Sequence, residues 1–69
     1  MSWNYRVVKT VHEFEGVQEE YYQIHEAYYD KDKVVSTTVN PVTIGASSIE
    51  ELKQVLARML EALDKEVLT

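Results

Sequence analysis

Between Ser48 and Lys65 the chain reads SIEELKQVLARMLEALDK. Wound at 3.6 residues per turn, this stretch puts Ile49, Leu52, Val55, Leu56, Met59, Leu60 and Leu63 on one broad face, and Glu50, Glu51, Lys53, Gln54, Arg58, Glu61 and Lys65 on the other. The pattern predicts an amphipathic helix, and the rest of the chain must supply the surface that covers its apolar side. Ser48 and Glu51 have the spacing of a capping box, in which each side chain takes up the other's free backbone N–H. Ser47 and Glu50 offer the same arrangement one residue earlier. Glu50 and Glu51 in the first turn and Lys65 near the end all suit the helix dipole. Asp64 and Glu66 do not, so the helix is expected to end near Lys65, with Val67 and Leu68 as a short apolar tail.

A chain of 69 residues makes a single domain over positions 1–69, and a domain of this size buries a small core. With no cysteine, neither disulfides nor a thiolate metal site can add to it, and the fold rests on packing alone. The sequence contains no apolar run of the roughly 18 residues that a membrane span requires, and no N-terminal signal pattern. The expectation is a cytoplasmic protein without a membrane partner. A net charge of −5, from 12 acidic and 7 basic residues, with no stripe of Lys and Arg, argues against nucleic acid as a direct partner.

Upstream of the helix three stretches have strand character. Trp3 to Val11 (WNYRVVKTV) alternates apolar and polar residues, Tyr21 to Tyr29 (YYQIHEAYY) is rich in Tyr, and VVSTTVNPVTI is β-branched until Pro41 ends or bends it. HEFEGVQEE, with Glu15-Gly16 near its tip, suits a solvated turn, and Asp30-Lys31-Asp32-Lys33 a four-residue hairpin loop. The order strand, strand, strand, helix with short connections predicts an α+β fold, β-β-β-α: a three-stranded antiparallel meander with the helix packed on one face. The four-residue loop pairs Tyr29 with Val34, Tyr28 with Val35, Glu26 with Thr37 and Ile24 with Val39. A matching first hairpin sets Tyr5, Val7 and Val11 beside Tyr28, Glu26 and Tyr22. One sheet face then carries Trp3, Tyr5, Val7, Val11, Tyr22, Ile24, Tyr28, Val35 and Val39 and is assigned to the helix. The other carries Arg6, Val8, Tyr21, Gln23, His25, Ala27, Tyr29, Val34, Ser36 and Thr38, a mixed set. A slip of one residue would exchange the faces.

This register places Glu26 in mid-strand on the core face, where an unpaired carboxylate would be costly. It is either an acid in a pocket between sheet and helix, or one paired with Lys9 or Arg58, or one lying beyond the helix's edge. His12-Glu13 and His25-Glu26 resemble the opening of a zinc-protease motif, but Gly16 and Tyr29 stand where its second histidine belongs. Neighbours in a strand also point to opposite faces, so His25 and Glu26 cannot share a ligand. A histidine bonded to a nearby Thr or Tyr is the expectation, with no metal and no cofactor. Only Gly16 and Gly45 are glycines, which excludes a Gly-rich phosphate cradle, and no nucleophile elbow or Ser-His-Asp pattern occurs. No catalytic residue is assigned. The mixed face, with Tyr21, Gln23, His25, Ala27, Tyr29 and Val34, is the candidate interface, since aromatics with a polar handle are enriched in such surfaces, with an exposed strand edge as the other surface through which two copies could pair.

Taken together, SWNYRVV, YYQIHEAYYD, NPV and ASSIEELKQVLARMLEALDKEVL resemble a family of short bacterial proteins of unassigned function that carry the same four blocks in the same order. Three strands followed by a helix with a small polar cap and S-x-E-E-L are similar, more distantly, to the HicB-like antitoxin fold, a partial ribonuclease-H-like architecture. Neither resemblance implies a catalytic residue. The expected function is a small non-enzymatic protein-interaction module acting as a homodimer. Two alternatives remain open: an antitoxin-type partner of a small basic protein, and a small-ligand or hydrolytic domain using Glu26 and His25.

Overall fold

The computed structural model describes residues 2–69. Three antiparallel strands, β1 (Ser2–Phe14), β2 (Val17–Asp30) and β3 (Lys33–Thr37), form a sheet of order β1-β2-β3, and the helix α1 (Ile49–Ala62) comes after them. This is the α+β, β-β-β-α arrangement that the sequence predicts. The molecule is elongated, 44 × 31 × 21 Å, because the first hairpin is far longer than its composition suggests. HEFEGVQEE is not a broad turn: β1 runs to Phe14 and β2 begins at Val17, leaving only Glu15 and Gly16 between them. Polar and acidic residues can continue the ladder because the pairing is made by the backbone and not by the side chains. Every residue from Val11 to Gln23 is exposed, so the outer half of this hairpin is a two-stranded arm.

In the first hairpin Tyr5 pairs with Glu26, Val7 with Ile24, Lys9 with Tyr22 and Val11 with Glu20. This lies two residues from the predicted register, and because side chains alternate with period two, the faces are unchanged. Trp3, Tyr5, Val7 and Val11 share a side with Tyr22, Ile24 and Tyr28, while Arg6 and Val8 share the other with Gln23, His25 and Ala27. The second hairpin departs further. Asp30 pairs with Lys33 and Tyr29 with Val34, but Tyr28 then pairs with Ser36 and Ala27 with Thr37. Val35 is therefore the extra residue of a β-bulge. The bulge takes Val35 out of the alternation and sets Ser36, expected on the other face, beside Tyr28, while β3 ends at Thr37 before Val39 is reached; Val35 and Val39, assigned to the core face, stand 56% and 94% exposed. Beyond Thr37 the chain leaves regular strand structure, with single backbone bonds from Thr38 N–H to the Glu26 carbonyl (3.0 Å) and from Val42 N–H to the Ile24 carbonyl (2.9 Å).

Both hairpins close through two residues with positive φ: Glu15 (51°) with Gly16 (78°), and Lys31 (50°) with Asp32 (67°). Paired positive φ values match the twist of the flanking strands, but neither Lys nor Asp has glycine's freedom there. The replacements Lys31→Asn and Asp32→Gly together should raise stability by about 1 kcal/mol, seen as a higher urea midpoint with an unchanged m-value.

At the start of α1, Ser48 has an extended backbone and its Oγ accepts from the Glu51 N–H (3.1 Å), as predicted. The Glu51 carboxylate accepts from the Ser47 hydroxyl (2.6 Å) in place of the Ser48 N–H that the capping box calls for, so only the Ser48 half of the box is formed. The helix ends at Ala62, three residues before the expected Lys65, and a tighter turn carries the chain on through bonds from Leu63 N–H to Leu60, Asp64 N–H to Glu61 and Lys65 N–H to Ala62. The last residues are not a free apolar tail. Leu68 forms a parallel bridge with Val8, donating to the Val7 carbonyl (2.9 Å) and accepting from the Lys9 N–H (2.7 Å) on the outer edge of β1.

The buried apolar side chains are Val7 on one side of the sheet, Ala27 on the other, and Met59 and Ala62 on α1. Leu52 and Val55 are half-buried, so α1 turns the row 52, 55, 59, 62 inward. The expectation that the whole apolar side of α1 would be covered does not hold. Ile49, Leu56, Leu60 and Leu63 are 68%, 44%, 66% and 60% exposed, because a three-stranded sheet covers one row of a helix and these four lie a quarter-turn away from it.

Candidate interaction surface

The six residues of the candidate interface divide. Tyr21 and Gln23 are exposed, Val34 is 37% exposed and Tyr29 is half-buried, but His25 (4%) and Ala27 (0%) lie inside the protein. Periodicity puts these residues on one side without showing how Arg6 is used. Arg6 is itself buried: its Nη1–H donates to the Tyr29 hydroxyl (2.6 Å) and its Nη2–H to the Glu66 carbonyl. A guanidinium can serve both because its donors are held in a rigid planar fork. His25 is fixed by Thr38, with Nδ1 2.9 Å from the carbonyl and 3.3 Å from Oγ1. A bond to the carbonyl puts the proton on Nδ1 and leaves Nε2 as an acceptor in the neutral ring. Nε2, the Asn4 Oδ1 and the Arg6 Nε are buried without a protein partner. The expected histidine–threonine bond is present, and it turns His25 into a structural residue between β2 and the chain after β3.

Glu26 is half-buried and not enclosed. It accepts from the Tyr28 hydroxyl at 3.4 Å and borders an open crevice with Tyr5, Thr38, Asn40, Pro41, Val42 and Thr43. Burial first, then the negative charge of Glu26 and the bond to it, raise the Tyr28 phenol above its ordinary value. Lys9, one of the partners considered for Glu26, pairs with Glu20 instead (3.0 Å). Glu26 and His25, adjacent in β2, project to opposite sides of the sheet, so the structure does not bring them together. Among the described residues no group of three or more His, Cys, Asp or Glu side chains is placed to hold a metal ion, and no helix is long and apolar enough to cross a membrane.

The Lys9–Glu20 pair braces the base of the arm. The bond and the charge of Lys9 lower Glu20, and the same two causes raise Lys9. The lowered carboxylate contributes above its unfolded value and loses that contribution as pH falls through its folded one. The raised amine contributes below its unfolded value and loses it as pH rises through its folded one. The pair thus holds across the neutral range and is screened by salt. Farther out, Phe14 and Val17 at the tip are 75% and 60% exposed, and Tyr21 and Tyr22 at least half exposed. The rings of His12 and Tyr21 meet edge to face at 5.4 Å. Glu13, Glu15, Glu19 and Glu20 are exposed on the same arm.

The residues that sequence reasoning missed are thus Ile49, Leu56, Leu60 and Leu63, together with Phe14 and Val17 at the arm's tip. The helix row had a signal. Seven apolar positions on fewer than four turns are more than a small sheet can cover, so a surplus was foreseeable. The protein is of the small α+β class, an interrupted three-stranded sheet and one capped helix. Comparison with family models, curated proteins and solved structures returned no match.

Proposed function

We propose that the protein is a non-enzymatic interaction module that acts as a homodimer. The observation that carries this is the apolar surface left open on α1, four aliphatic side chains at positions 49, 56, 60 and 63, each at least 44% exposed. A core of four small and medium side chains leaves a domain of this size marginal, and a second copy would remove further apolar area from water. The long arm supports the same proposal, because a two-stranded ribbon is at best marginally stable alone. Light scattering on the size-exclusion peak should give twice the 8.0 kDa chain mass at high concentration, shifting toward the monomer on dilution. A single chain mass at every concentration would refute the homodimer.

A second proposal is favoured by the glutamates of the arm. With net charge −5 and Glu13, Glu15, Glu19 and Glu20 exposed there, the surface suits a small basic protein, as the resemblance to HicB-like antitoxins implies. Salt-sensitive binding to a basic partner encoded beside it, abolished by Glu13→Lys with Glu19→Lys, would support it.

A further inference from the structure

We infer that the two copies pair through α1, helix against helix and antiparallel, about a two-fold axis near Leu56 and Leu60. This rests on the homodimer proposed above and names its surface. At 100° per residue, Ile49, Leu56, Leu60 and Leu63 fall within about 60° of one another, in a row a quarter-turn from the inward row 52, 55, 59, 62. A seam of this width is what two helices share when they pack side by side. A single row buries less than the standard roughly 800 Å² per partner, so the dimer is a reversible, concentration-dependent one.

The direction is set by charge. The exposed residues that flank the row on its solvent side are Lys53 and Asp64. In a parallel pair the two-fold axis runs along the helices and puts Lys53 and its copy on opposite sides of the seam, and Asp64 likewise, so neither charge meets a partner charge. In an antiparallel pair with Leu56 opposite the partner's Leu60, Lys53 falls next to the partner's Asp64, and the symmetry axis repeats the contact at the other end. Opposite charges at both ends of the apolar seam favour the antiparallel direction, and the parallel one gains no such contact. Asp64 stands exposed in the tight turn after Ala62, its N–H bonded to the Glu61 carbonyl (3.1 Å).

The test is sedimentation equilibrium on the parent, Lys53→Glu, Asp64→Lys, the double exchange Lys53→Glu/Asp64→Lys, and Leu60→Glu, with circular dichroism to confirm folding. Each single charge reversal should weaken dimerisation about tenfold, because it replaces two attractions by two repulsions. The double exchange should restore the parent affinity to within about twofold, and Leu60→Glu should give a monomer. A parent dimer that Leu60→Glu leaves intact would overturn the helix seam while keeping the homodimer. Loss of the dimer in Leu60→Glu without rescue by the double exchange would overturn the antiparallel direction. A parent that is monomeric throughout would end both proposals.

Discussion

Met59→Ala should lower the free energy of unfolding by about 2–5 kcal/mol. Met59 is 5% exposed and is the largest of the buried apolar side chains, which otherwise are Val7, Ala27 and Ala62. A chain of 69 residues has a total stability on the order of 3–10 kcal/mol, so the loss would consume much of it. In urea followed by circular dichroism, the variant should either show a midpoint far below that of the parent or begin without a folded baseline. Val39→Ala, at a position 94% exposed, is the control, and its midpoint should correspond to a change within about 0.5 kcal/mol. An equal loss in both variants would mean that the core is not where the structure places it.

Arg6→Ala should cost about 3 kcal/mol. The guanidinium joins the Tyr29 hydroxyl on β2 to the Glu66 carbonyl after α1, and its loss leaves buried groups without their donor. Arg6→Met should cost less than Arg6→Ala, since it keeps most of the packing of the stem and removes the buried charge rather than stranding it. Arg6→Lys should not recover the parent, because one ammonium lacks the planar fork that reaches both partners. Amide exchange provides a second readout: the Leu68 N–H, bonded to the Val7 carbonyl, should lose protection in Arg6→Ala before the amides of β2 do.

The helix was legible because each local signal agreed. Its apolar period, the Ser48 cap and the acidic first turn all point the same way, and the structure starts α1 at Ile49. The sheet faces were legible for a weaker reason, that an error of two residues in register keeps every side chain on its side. Val35 and Val39 show where that protection ends. The run VVSTTV is β-branched almost throughout and has no period that could reveal a bulge, and one inserted residue reverses the faces beyond it. The turn Lys31-Asp32 was hidden because two residues other than glycine adopt positive φ against their preference, which made a longer loop the natural expectation. His25 and Ala27 share a side with the polar Arg6 and Gln23, so alternation alone marks them as surface, yet both are buried. The Leu68 bridge rests on a few backbone bonds, and those leave no pattern in side chains.

The join between Arg6 and Glu66 spans 60 residues of chain, and that distance governs the order of events as the protein folds. The two hairpins close locally, through two-residue turns, and can form within microseconds. The stitching of Leu68 to β1 closes nearly the whole chain into a loop and draws on entropy that only a largely assembled sheet and helix can offset. The C-terminal edge is therefore a late latch. Its bonds contribute little to how fast the domain assembles and much to how slowly it comes apart.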